Sequence, residues 1–155
     1  MKSLLAIYLE DHHAAGVAGS RLAARLAATT ASEGSEADLS RVLPEIAEDL
    51  ATLESLMRRL GAKPNTMKDT IARVGERLGR LKPNGRLRER SPLSDLLELE
   101  TLVVGIRGKQ ALWVSMRNTA LLPREELDRL IGRAEKQQRI VESAREAAAR
   151  RALEG

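Results

Sequence analysis

The sequence predicts an all-α fold: a bundle of four long helices, with a shorter fifth helix between the second and third long ones. Three observations predict it. Ala, Leu, Glu and Arg dominate, which is the composition of long helices. Apolar residues recur at three- and four-residue spacing over stretches of about 25–30 residues. Pro83, Pro92 and Pro123 fall at the breaks between these stretches. At 155 residues the chain reads as a single domain with a sizeable core. Phe is absent and the aromatics are Tyr8 and Trp113 alone, so that core must be built from Leu, Ala, Val, Ile and Met.

The first helix is expected over residues 3–30, with Leu4, Tyr8, Asp11, Ala15, Ala18 and Leu22 on one face and Ile7, Ala14, Val17 and Ala24 widening it. Ser32-Glu33-Gly34-Ser35 reads as a short turn. The second covers residues 36–60 on a stripe of Leu39, Val42, Ile46, Leu50, Leu53, Met57 and Leu60. Gly61 suits the position just past its end, where a positive φ costs glycine least. Pro44 implies either a kink or a later start. A shorter helix is expected over residues 65–81, carrying Met67, Ile71, Val74, Leu78 and Leu81, and Pro83-Asn84-Gly85 breaks it.

Ser91-Pro92 pairs an N-cap hydroxyl with proline in the first helical position. The helix it opens should run to about residue 119. Leu93, Leu96, Leu97, Leu99, Leu102, Val103, Val104 and Ile106 make its first half the expected centre of burial, and Gly105 and Gly108 would admit a close neighbour. The last helix starts at Pro123, has Glu125, Glu126 and Asp128 near its positive end, and carries Leu127, Ile131, Ala134, Gln138, Val141, Ala144 and Ala148 inward as far as about residue 151.

Connection lengths set the expected topology. Tight turns join the first two long helices and the last two, making two antiparallel hairpins. Each long helix spans about 40 Å at 1.5 Å per residue, and residues 62–91 are enough chain to run that length as a crossover.

Cysteine is absent, which removes disulfides, thiolate metal sites and cysteine nucleophiles. A cytoplasmic location fits that, and the chain's opening shows no signal-peptide pattern. No apolar run approaches the roughly 20 residues of a membrane span. The net charge of +4 is unevenly placed: residues 1–60 sum to −3, residues 61–90 to +6 and residues 91–155 to +1. No glycine-rich phosphate loop follows a strand, and no Ser–His–Asp arrangement emerges from position.

Counting from the turns places one polar constellation at a common level. It contains Tyr8, Glu10, Asp11, His12 and His13 on the first helix and Glu54 on the second. Lys109 and Trp113 join it from the fourth segment, Glu135 and Gln138 from the last. The run Glu10-Asp11-His12-His13 spans a full turn, so at least one member must face inward or lie at a helix interface. Such a layer reads as a small polar pocket for a substrate or metal, or as salt bridges between helix flanks. Asp49 is expected near Arg107, and Glu98 and Glu100 near Arg25, Arg41 or Arg145, as ordinary ion pairs.

Tyr8-Leu9-Glu10-Asp11-His12, Asn84-Gly85-Arg86-Leu87, Ser91-Pro92-Leu93-Ser94 and Gly108-Lys109-Gln110-Ala111-Leu112-Trp113 resemble segments of an uncharacterised bacterial family of helical proteins within the ferritin-like superfamily. The resemblance implies a ferritin-like four-helix bundle, and for that superfamily a di-iron site. Such a site takes one Glu from each of two helices and a Glu-x-x-His from each of the other two. Glu10, His13, Glu54 and Glu135 are the metal candidates it selects. Adjacent histidines cannot supply two such motifs, however, and Lys109 brings a positive charge to the layer.

The expectation is therefore a non-enzymatic bundle that acts through binding or assembly, as a homodimer, with a degenerate metal site and no resident cofactor. Two alternatives stand beside it. One is a metal- or small-molecule site in the Glu10/His13/Glu54/Glu135 layer, with di-iron or another divalent metal. The other is a nucleic-acid binder that uses Arg73, Arg77, Arg80, Lys82, Arg86, Arg88 and Arg90 against phosphates. That basic segment lacks aromatics for base stacking.

Overall fold

The computed structural model describes residues 2–33, 37–64 and 91–154. The expected helix over residues 65–81, its break at Pro83-Asn84-Gly85 and the basic residues Arg73 to Arg90 lie outside the described residues. Four helices are described: α1 (Leu4–Glu33), α2 (Ala37–Arg59), α3 (Pro92–Arg117) and α4 (Arg124–Leu153). The fold is all-α.

Local chemistry sets the helix ends. Ser3 caps α1, its hydroxyl accepting from the Ala6 amide at 3.1 Å. Gly61 closes α2 with φ +70°. The Ala62 amide donates to the Met57 carbonyl at 2.9 Å and the Gly61 amide to the Arg58 carbonyl at 3.2 Å, the pair of bonds of a Schellman motif. Pro44 does not delay the start of α2, because the helix runs from Ala37 through it. Pro44 and Ser40 both face outward, so the carbonyl that proline leaves without a donor is open to water. At the start of α3 the Ser91 hydroxyl accepts from the Ser94 amide at 3.3 Å, with Pro92 in the first turn. Ser91→Ala should cost about 1 kcal/mol, read as a lower urea midpoint at unchanged slope.

Apolar burial then assembles the helices. α1 packs on α2 and on α3; α4 packs on α3 and on α2. The ion pairs Arg25–Glu98, Arg59–Glu126, Arg117–Asp128 and Arg145–Glu100 tie distant parts of these interfaces. The order of the pairs makes α3 and α4 antiparallel. It does the same for α1 and α2, where His13 meets Glu54. In α2 and α3 residue numbers rise together: Leu39 and Val42 share a cluster with Leu96 and Leu99, while Leu56 and Met57 share one with Trp113 and Met116.

The core consists of those two clusters. The upper one contains Ala23, Leu26, Leu43, Ile46, Leu102, Ile106, Val141 and Ala144; the lower one contains Leu9, Leu53, Leu112, Leu122, Leu127 and Ile131. Buried Asp49 and Gln137 lie at the level between them.

Three expectations about helix faces need correction. α1 buries Leu9, Glu10, His13, Ala14, Ala23 and Leu26, whereas Leu4 is exposed. Two of those inward residues are polar, so hydropathy selected the adjacent face. In α3, Leu93, Leu97 and Val104 are exposed, so its first half is not uniformly buried. Its apolar arc is simply wider than the surface its neighbours cover. In α4 the inward amide is Gln137, not Gln138, one position along the helix and so 100° around it.

Candidate functional site

The residues expected in one polar constellation divide into two groups facing different interfaces. Glu10 and His13 turn toward the α2 side of α1. Glu10 is buried and accepts from Lys2 Nζ at 2.7 and 2.8 Å. His13, 3 % exposed, places Nε2 at 3.0 Å from Glu54 Oε1. With a proton on Nε2 the ring donates to that carboxylate, and its buried Nδ1 has no hydrogen-bond partner.

Asp11 and His12 turn instead toward α3 and line a cavity of about 330 Å³ between α1, α2 and α3. Tyr8 meets the His12 ring edge-on, with centroids 4.7 Å apart. The cavity walls are largely apolar, with Leu50 and Leu53 from α2 and Leu102, Ile106, Leu112 and Trp113 from α3. Gly16 and Gly19 on α1 face Gly105 and Gly108 on α3 across it. Gly105 and Gly108 do not bring a helix close as the sequence suggested, whereas a Cβ at Gly16 would come within 3.1 Å of Leu50 Cδ1. A Cβ added at Gly19, Gly105 or Gly108 would meet nothing within 4 Å, so the missing side chains leave open space.

Lys109 and Asp49 also line this cavity. They belong to a buried network that sequence spacing did not reveal. Asp49 is 2 % exposed and Gln137 fully buried. Asp49 Oδ2 accepts from Lys109 Nζ in a short contact and from Gln137 Nε2 at 2.8 Å. Lys109 Nζ also donates to Gln137 Oε1 at 2.5 Å. Arg133 Nε lies 3.0 Å from Asp49 Oδ1, near enough for charge attraction but not aligned as a hydrogen bond. Its Nη2 donates to the Glu45 carbonyl at 2.9 Å and to Glu48 at 2.7 Å. Asp49 thus meets Lys109, Gln137 and Arg133, not Arg107. The sequence signal for it was an aspartate at a position that continues the apolar stripe of α2, three residues after Ile46 and four before Leu53.

Burial pushes the Lys109 ammonium below its ordinary value of 10.5, against the opposing pull of Asp49; Arg133 adds to the lowering and Glu45 to the raising. The folded protein therefore releases this proton before the unfolded chain does. Between the lowered value and 10.5 the unfolded chain holds more protons, so this group makes stability rise with pH in that window. Urea midpoints of the wild type should gain on those of Lys109→Met as pH climbs toward 10.5, and parallel curves would contradict it.

Of the remaining expected members, Glu135 and Gln138 stand apart. Glu135 is exposed and accepts from Gln110 at 3.2 Å. The Gln138 amide, oriented by its hydrogen bonds, accepts from Arg107 Nε and Nη2 at 3.0 and 2.9 Å. Trp113, 1 % exposed, is part of the lower cluster and of the cavity wall.

A di-iron centre does not fit these residues. Among the described residues no group of three or more His, Asp or Glu is placed to hold a metal ion. Glu10 is committed to Lys2, His13 and Glu54 to each other, and Glu135 lies outside the layer. Where carboxylates do approach one another, around Asp49, the charges that balance them are Lys109 and Arg133.

The fold and cavity define a class, an all-α bundle with a largely apolar, partly open site that a buried charged network borders. No family model, curated protein or solved structure matches the chain. Among the described residues no helix is long and apolar enough to cross a membrane.

Proposed function

We propose that this protein is a non-enzymatic bundle of the ferritin-like kind and that its function is to bind a small apolar molecule in the cavity between α1, α2 and α3. The cavity carries the reading. It is about 330 Å³, walled largely by aliphatic side chains and one indole, with few polar groups among them. That combination is what small-molecule sites share. The helix directions support the ferritin-like part. Two antiparallel pairs, with α2 and α3 parallel, are what two hairpins joined by a long crossover require.

The test uses N-phenyl-1-naphthylamine, an uncharged apolar fluorophore. It should bind saturably at one site and change the emission of Trp113, the only tryptophan in the chain. Gly105→Leu and Gly108→Leu put side chains into the open space while improving helix propensity. Both should keep wild-type helicity and lose the binding. Absence of saturable binding, or binding unchanged in both variants, would overturn the reading.

A further inference from the structure

We infer that the cavity selects an uncharged, apolar molecule carrying one hydrogen-bond-accepting oxygen, and that Lys109 holds that oxygen. The inference rests on the binding function proposed above and specifies the chemistry of the ligand.

The argument begins with donors and acceptors. An ammonium has three N–H groups. Lys109 gives one to Asp49 Oδ2 and one to Gln137 Oε1. The third is left for whatever enters the cavity that Lys109 lines. Asp49 Oδ2 already accepts twice, and Oδ1, which makes no hydrogen bond, lies 3.0 Å from the Arg133 guanidinium that balances its charge. The network therefore offers the ligand one donor.

Charge then narrows the ligand further. Lys109 and Asp49 line the cavity together and neutralise each other there. Glu45 and Glu48 stand behind Asp49 and outnumber Arg133 by one. A carboxylate or phosphate headgroup would lose its hydration and meet a Lys109 already matched by Asp49, with the Glu45 and Glu48 carboxylates behind it. A cationic headgroup would sit against the Lys109 ammonium and leave its third N–H without an acceptor. A ketone, ester or ether oxygen satisfies that N–H and brings no charge. The rest of the ligand meets Leu50, Leu53, Leu102, Ile106 and Leu112, which reward hydrocarbon alone.

Four ligands of matched chain length test this by isothermal titration: 2-octanone, octane, octanoate and octylamine. The wild type should bind 2-octanone about tenfold or more tighter than each of the others, the effect of one hydrogen bond from a charged donor. Lys109→Met should abolish the preference, so that 2-octanone and octane bind it with equal affinity. The comparison of 2-octanone with octane in the wild type needs no variant, so it holds even if Lys109→Met folds poorly. If octanoate or octylamine binds as tightly as the ketone, or if octane does, the inference is wrong while the binding reading stands. If none of the four binds, the binding reading fails and the inference fails with it.

Discussion

Replacing Asp49 by alanine is expected to cost about 3–5 kcal/mol, the loss incurred when one partner of a buried charged pair is removed. The carboxylate is the hub of the layer between the two apolar clusters. Without it Lys109 retains only the neutral Gln137 oxygen, and Arg133 loses its buried counter-charge. Lys109→Met should cost clearly less, because Asp49 would keep both Gln137 and Arg133. The double variant Asp49→Leu with Lys109→Met removes both charges together. It should be more stable than the sum of the single losses by about 1–3 kcal/mol. Urea denaturation followed by helical circular dichroism gives all three values. Equal costs for the two single variants, or strict additivity in the double, would show that the three groups do not form one network.

Trp113→Ala should be comparably damaging, at about 3–5 kcal/mol, through a different cause. Trp113 is the largest fully buried side chain and sits where the lower apolar cluster meets the cavity. Its removal leaves a void beside space that is already open, and the surrounding helices cannot collapse to fill both. Val104 lines the same cavity but is 70 % exposed, and Val104→Ala should stay within about 0.5 kcal/mol of the wild type. The contrast separates burial from mere proximity to the cavity. Similar losses for both residues, measured by denaturant midpoint, would contradict the packing described here.

The two predictions bear on function because Asp49 and Trp113 both line the cavity. A binding site on rigid helices needs its polar groups fixed before the ligand arrives. Asp49 and Gln137 fix Lys109 in that way, and the apolar clusters above and below hold the helices that carry them. The cost is a buried ionic layer that contributes less to stability than a hydrocarbon layer of the same volume would.

Much of the architecture was legible in the sequence. Helix periodicity fixed the four long helices to within a few residues. The Ser91-Pro92 start and the Gly61 stop are side-chain and backbone preferences that act within one turn, so neighbours in sequence suffice to read them. The inward stripe of α2 was readable for the same reason, since Leu39, Val42, Ile46, Leu53 and Met57 repeat at one angle. The stripe of α1 was misread because Glu10 and His13 occupy its buried face, and their partners Lys2 and Glu54 make that burial tolerable. Nothing local announces such partners when one of them lies on another helix.

The site shows the same division. Its residue types were visible: Asp11, His12, Lys109 and Trp113 all line the cavity. Which of them meet was not visible, nor was the substitution of Gln137 for Gln138. An error of one residue on a helix is 100° of rotation, and counting from turns carries an error of about a turn. The sequence by itself determined an all-α chain with these helices, these caps and an aliphatic core, because each follows from periodicity and local chemistry. Only the tertiary structure decided that Asp49, Lys109, Gln137 and Arg133 form one network, that His13 pairs with Glu54, and that Gly19, Gly105 and Gly108 leave a cavity rather than a close contact. Those outcomes depend on the rotation and separation of helices, which packing fixes and which no single helix encodes.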